Sequence, residues 1–242
     1  MYIEVEFSLF NFVSLLKLEF DLIMALIINI ETATKNCSVA LAKDGKTVAL
    51  KEIAEENFSH AEKLHLFIAS LFEETGYQYK DLQAVAVSQG PGSYTGLRIG
   101  VSAAKGFCYA LSIPMIAVDT LLVLAKKIEI KQGVIIPMID ARRMEAYTAI
   151  FDSNFTKIRA TEAEVIDESS YQDLPQAIHL IGDGAMKFKH VLTSDAFHFH
   201  PEIHYPSAQE MSALSFEKFK QKDFVDVAYF EPFYLKDFVL NR

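Results

Sequence analysis

Cysteine and surplus positive charge are both scarce in this chain, and each scarcity removes a class of function. The 242 residues hold two cysteines, Cys37 and Cys108, with neither C-x-x-C nor zinc-like spacing, which argues against a disulfide framework or a structural metal and fits a reducing compartment. Acidic residues outnumber basic ones by 32 to 23, leaving a formal charge of −9 with both signs mixed along the chain. The basic footprint that phosphate-driven nucleic-acid binding needs is therefore missing, and any nucleic acid is better held by a partner. Long hydrophobic runs are lacking too. The stretch Phe7–Leu16 is about ten residues and contains Asn11, too short to span a bilayer. Glu4 and Glu6 stand where a secretory signal would carry positive charge. A linker, a repeat and a low-complexity tract are also absent. What remains is a chain 51% apolar, long enough for one large domain or two small lobes, each with its own core.

An orderly pattern begins at Met24. Ala25–Ile30 is a continuous apolar run of buried-strand type, followed by a turn at Glu31–Thr34, a second strand over Ser38–Ala42 and a third over Thr47–Ile53. Between the last two, Asp44-Gly45 supplies the positive φ of a two-residue hairpin turn. Ser59 and Glu62 form a capping box for a helix over 59–74, which Gly76 closes. A strand over 82–87, a glycine-rich loop over 90–96, a helix over 97–111, a strand over 113–118 and a helix over 121–129 capped by Asp119 or Thr120 complete the first half. This βββαβα series predicts a mixed sheet with helices on its faces. Strands follow at 134–139, 146–151, 158–165 and 178–181, then the turn Gly182-Asp-Gly-Ala185 and an amphipathic helix over 208–220 with Met211, Leu214 and Phe219 on its apolar side. Residues 24–128 and 129–242 are expected to form a larger and a smaller lobe, and 1–23 to be a start extension.

The most informative segment is Gln89-Gly-Pro-Gly-Ser-Tyr-Thr-Gly-Leu-Arg-Ile-Gly100. A glycine-rich turn between strand and helix can offer backbone N–H groups to an anion, with Gly92, Ser93, Thr95 and Arg98 as contacts. Its glycine spacing meets neither common phosphate-loop fingerprint. The plainer reading is a tight strand–helix connection whose glycines permit close packing. Ser93 and Thr95 have no His/Asp pair at triad spacing and read as turn or cap residues.

This segment resembles the signature of the TsaB family, partner proteins in threonylcarbamoyladenosine biosynthesis on tRNA. Ile28–Thr34, Phe58–Leu64, Pro137–Tyr147 and Pro232–Lys236 resemble further family segments in the same order. The resemblance implies an α/β, actin-like (ribonuclease H-like) fold of two lobes. It implies a cytoplasmic partner subunit that supports a related catalytic subunit, TsaD, with an ATPase, TsaE, joining them. It further implies that tRNA is reached only through the complex, that the chain forms a homodimer when alone, and that it has no cofactor of its own, although ATP can bind within the complex. The family associates through its first two helices, which nominates His60, Leu64, Phe67, Ile68 and Leu71 on one and Gly100, Ala103 and Ala104 on the other. Read without the resemblance, the same apolar arcs belong to the core of the lobe.

No catalytic residue is expected. An actin-like phosphotransferase needs a carboxylate at the first hairpin and a second Asp-x-Gly phosphate turn. Here the first slot holds Glu31 instead of Asp, and the second reads Asp140-Ala-Arg142. Glu31, Gly182 and Gly184 stay as candidate nucleotide contacts, and a small ATPase or phosphotransferase is the alternative function. A metalloprotease fits least. The related catalytic subunits bind metal through two histidines one helical turn apart, whereas four residues after His60 stands Leu64, and His65 follows on another face. His198, His200 and His204 lack a clear carboxylate or cysteine partner, and no metal site is assigned. If Met24 is the true start, intact mass spectrometry of the native protein will show chains lacking residues 1–23; abundant protein beginning at Met1 would defeat the expectation.

Overall fold

A computed structural model describes residues 24–55, 60–174 and 177–236; the start-extension expectation and the Ser59 cap lie outside them. Leu26–Glu31 forms β1, buried on both faces. That double burial is why its sequence is continuously apolar rather than alternating. Asn36–Lys43 (β2) and Lys46–Ala54 (β3) follow antiparallel, joined at Asp44 and Gly45, whose φ values of 52° and 78° are those of the expected turn. The helix α1 (His60–Thr75) ends at Gly76, whose φ is 73° and whose N–H reaches the Phe72 carbonyl at 3.0 Å. Ala84–Ser88 (β4), Tyr94–Leu111 (α2), Met115–Val118 (β5) and Thr120–Ala125 (α3) complete the first half. Two of these helices depart from the sequence expectation. The helix α2 begins three residues earlier, because Ser93 caps it by accepting from the Gly96 N–H. The helix α3 is shorter, closing at Lys126 although Asp119 caps it as expected.

The second half repeats the pattern. Val134–Asp140 (β6), Glu145–Asp152 (β7) and Lys157–Val165 (β8) pair antiparallel, and Ile178–Ile181 (β9) and Phe197–Phe199 (β10) add parallel to the far side of β6. The sheets run β3-β2-β1-β4-β5 and β8-β7-β6-β9-β10, the same topology twice, which is the actin-like arrangement of two ribonuclease H-like lobes. The second copy is reduced: turns around Tyr171 replace the helix after β8, and only a short 3₁₀ turn, Met186–Phe188, lies between β9 and β10.

One expected grouping changes. The helix α4 (Ala208–Lys220) falls in the segment assigned to the second lobe, yet it packs on the first sheet, where Ala208 and Met211 join Ala25, Ile27, Ala84 and Ile116. Ser207 holds its start there, accepting from the Gln209 N–H and donating to Glu52 on β3 at 2.6 Å. Between the lobes lies α3: Val123 faces the first sheet, while Leu121 and Leu124 pack with Ile135, Phe151 and Ile181 of the second. Lys157 on β8 pairs with Asp119 at the head of α3.

Beyond α4 the chain becomes a strap. Val225 N–H bonds to Met115 of β5, Lys105 of α2 reaches the Ala228 carbonyl, and Phe233 N–H bonds to Gln89 at 2.7 Å. The strap then crosses to the second lobe, where Lys236 pairs with Glu145 and approaches the Ala141 carbonyl.

The glycines of α2 divide into two kinds. A Cβ on Gly96 would press into the Thr32 carbonyl, and one on Gly100 into the Thr32 hydroxyl, whereas one on Gly106 would meet nothing within 4 Å. Gly96→Ala is therefore expected to destabilise the fold by roughly 1–3 kcal/mol through overpacking. Gly106→Ala should stabilise it by up to about 1 kcal/mol through helix propensity alone. Urea denaturation of both variants checks the contrast; equal effects would refute it.

Candidate functional site

The glycine-rich loop lies against the turn between β1 and β2. The Ser93 N–H donates to the Ala33 carbonyl at 2.6 Å, Thr32 Oγ1 donates to the Gly96 carbonyl at 2.8 Å, and a Cβ on Gly92 would collide with Ala33. The Gly96 N–H is taken by Ser93 Oγ at 3.3 Å. Two of the amides at this helix start, those of Ser93 and Gly96, are thus directed at the chain itself. Thr95 and Arg98 point away, exposed, on the outer side of α2.

Glu31 ends β1 fully buried. Its Oε1 accepts from the Ala33 N–H at 2.6 Å, while Oε2 meets no donor among the described residues. Burial pushes its pKa up from 4.5 to about 7; the Ala33 amide and the nearby Ser88 hydroxyl pull it down, and Glu210 adds to the rise. The turn at Gly182–Gly184 folds onto the end of β6, with Gly184 N–H on the Met138 carbonyl at 3.0 Å and Asp183 accepting from the Asp140 N–H at 3.1 Å. Burial raises the pKa of Asp183 to about 6, against a lowering by Lys35, which comes from the β1–β2 turn. The structure therefore brings Glu31 and the Gly182–Gly184 turn to facing ends of the two sheets. Between β6 and β7, Arg142 and Arg143 take left-handed φ values of 67° and 51°, a conformation that favours glycine.

His60 is buried, with Nε2 on the Thr34 carbonyl at 2.7 Å, and burial depresses its pKa. It holds the start of α1 to the β1–β2 turn. His65 is exposed on another face. Among the described residues no group of three His, Cys, Asp or Glu side chains is arranged to hold a metal ion. His198 is exposed, and His200 bonds to His179 at 3.0 Å. Sequence reading missed His179, because only the register of β9 with β10 brings it there.

The residues nominated for an interface divide. Leu64, Ile68 and Leu71 of α1, with Gly100, Ala103 and Ala104 of α2, are buried, and Phe67 is half-buried against the same core. Each buried Leu or Ile contributes about 1.5–3 kcal/mol to the lobe, so the apolar arcs hold the helices to their own sheet. The outward side of the helix pair is different. It forms an open groove of about 760 Å³ lined by Ala61 and His65 of α1 and by Thr95, Ile99, Ser102, Gly106, Phe107 and Ala110 of α2, with Tyr94 and Arg98 at one end. Ala103 alone of the nominated residues lines it. A usable signal was the spacing of Ser102, Gly106 and Ala110, small residues four apart on one helix face.

Glu31 also sets a pH dependence. With a folded pKa of about 7 against 4.5 unfolded, the folded state binds more protons between those values, so stability falls as pH rises through that window. Glu31→Gln should remove this slope, matching the parent near pH 4 and exceeding it by about 3 kcal/mol at pH 8. Urea titrations at the two pH values decide; parallel curves would overturn the assignment.

Three comparisons place this geometry. A family model described as tRNA N6-adenosine threonylcarbamoyltransferase (TsaD) matches residues 52–230. The tRNA threonylcarbamoyladenosine biosynthesis protein TsaB of Escherichia coli (strain K12) is 30% identical, over 87% of this chain and 94% of that one. The tRNA N6-adenosine threonylcarbamoyltransferase of Bacillus subtilis (strain 168) is 32% identical, over 39% of this chain and 31% of its own length. Among solved structures, YeaZ from Pseudomonas aeruginosa superposes with a TM-score of 0.77 at 22% identity, over 88% of this chain and all of that one. With the two-lobed fold and near full-length identity to such a relative, this chain belongs to the TsaB family of tRNA threonylcarbamoyladenosine biosynthesis proteins.

Proposed function

We propose that this protein is a non-catalytic, cytoplasmic partner subunit that docks a tRNA N6-adenosine threonylcarbamoyltransferase through the groove between α1 and α2 and supports its reaction on tRNA. The observation that carries the reading is Gly106. It sits inside an 18-residue helix, on its open side, and among the described residues nothing outside its own helical turn lies within 4 Å of where a Cβ would be. Glycine there costs the helix roughly 1 kcal/mol relative to alanine, and no internal contact repays it. A surface that keeps its backbone bare at the floor of a groove suits close approach by another helix.

The homology between this chain and the transferase supplies the partner. The family model of the transferase spans most of the present fold, so each protein presents a related pair of helices. Two related helix pairs can pack face to face about a pseudo-twofold axis, as identical surfaces do in a twofold dimer. The same surface would serve a homodimer when the transferase is absent. Other features support the non-catalytic reading: the Ser93 amide is committed to the β1–β2 turn and the Gly96 amide to Ser93, and Arg142 stands where a phosphate turn would place glycine. In this reading tRNA is contacted through the complex, and the ATPase TsaE and any ATP belong to the larger assembly.

Reconstitution tests the role. Threonylcarbamoylation of tRNA by the purified transferase should require this chain. Gly106→Trp, which fills the groove without entering the core, should weaken the complex by about a hundredfold or more while its circular dichroism melt stays at or above that of the parent. Full modification without the chain, or undiminished binding by Gly106→Trp, would sink the proposal.

A further inference from the structure

The strap over residues 223–236 is left without a role by the groove alone, and its Tyr234 meets Tyr94, which lines the groove's end. Tyr234 packs its ring on Tyr94 at 4.9 Å, and Tyr94 in turn carries Arg98, whose Nη1 donates to the phenol oxygen at 3.0 Å and whose guanidinium lies 5.3 Å from the ring centre. Arg98 is exposed and has no bonded carboxylate among the described residues. Glu231, in the same strap, acts on Tyr234 but is not paired with Arg98. Two residues beyond Tyr234, Lys236 ties the strap to Glu145 in the second lobe, while Phe233 is bonded to Gln89 in the first.

We propose that Tyr94, Arg98 and Tyr234 form a built end wall of the docking groove that takes a carboxylate from the transferase's helix pair, with Lys236 as a positioning residue that holds the wall from the second lobe. This rests on the groove reading above. Apart from His65, the rest of the groove is lined by small or apolar side chains, so register along it is weakly specified. A single guanidinium at one end, already oriented by a phenol and a stacked ring, offers a fixed fork to a carboxylate. Held on an aromatic face, it loses less side-chain freedom on pairing than a mobile lysine would. The partner this surface selects is therefore a helix with a small or apolar face and an acidic residue at the end that meets Arg98.

Calorimetric titration of the full chain with the purified transferase subunit, at low and high salt, tests it. Arg98→Ala should weaken binding by about tenfold and flatten its salt dependence, and Arg98→Glu by about a hundredfold. Tyr234→Phe should bind as the parent does, since the ring is kept, while Tyr234→Ala should lose several-fold. Lys236→Ala, outside the groove, should lose several-fold with its salt slope retained, because Arg98 remains. If Gly106→Trp abolishes binding while Arg98→Ala and Arg98→Glu stay within about twofold of the parent, the end wall is refuted and the groove reading survives. If Gly106→Trp also binds normally, it is the groove reading that falls. Melting curves for each variant separate misfolding from lost contact.

Discussion

The rest of the molecule depends on the close approach of the β1–β2 turn to the first turns of α2. Thr32 and Ala33 stand where side chains on Gly92, Gly96 and Gly100 would be, and the two segments are bonded through Ser93, Ala33, Thr32 and Gly96. His60 adds the start of α1 to the same turn. One backbone contact thus sets the position of both helices, and with it the groove between their outer sides. The same contact takes up the Ser93 amide, one that a glycine-rich loop can otherwise present to an anion. Close packing and ligand binding are competing uses of the same bare backbone, and here packing prevails.

The first lobe was readable in outline because its signals are local. Asp44-Gly45, Gly76 and the doubly buried β1 each act within a few residues. Most of the residues nominated for an interface lie inward for a physical reason. Apolar periodicity on α1 reports the face that leaves water on folding, so Leu64, Ile68 and Leu71 had to lie inward. The outward groove is instead built from small and polar residues such as Ser102, Gly106 and Ala110. Hydrophobic pattern is blind to it; a helix-weakening glycine with no neighbour is not. Non-local features were also hidden. The return of α4 to the first sheet, the strap and the pairing of His179 with His200 depend on contacts across long stretches of chain, which no local period encodes.

The repeated sheet topology explains why the sequence kinship with a transferase does not by itself carry over its chemistry. Two ribonuclease H-like lobes place Glu31 and the Gly182–Gly184 turn at facing sheet ends in this chain, as the fold requires whatever the residues there do. Chemistry depends on what those residues are. A carboxyl whose pKa is pushed to about 7 by burial, with one oxygen spent on its own turn, is a poorer metal anchor than an exposed aspartate. Left-handed arginines at the second hairpin place bulk and positive charge where a phosphate turn brings bare backbone.

The strap gives the two lobes a connection independent of α3. Between the sheets, α3 is an apolar wedge, and wedges resist compression more than they resist opening. The strap acts in the other sense: with Phe233 bonded in one lobe and Lys236 in the other, spreading the lobes pulls directly on Tyr234. Because Tyr234 packs at a tilt on Tyr94 at the end of the groove, lobe geometry and groove geometry share a single element. On the proposed docking, a partner that settled against Arg98 and Tyr94 would bias the angle between the lobes, and whatever fixes that angle would fix the wall the partner meets. Such coupling is reciprocal by thermodynamic necessity, and in a fold with a shortened second lobe it runs through four residues of chain.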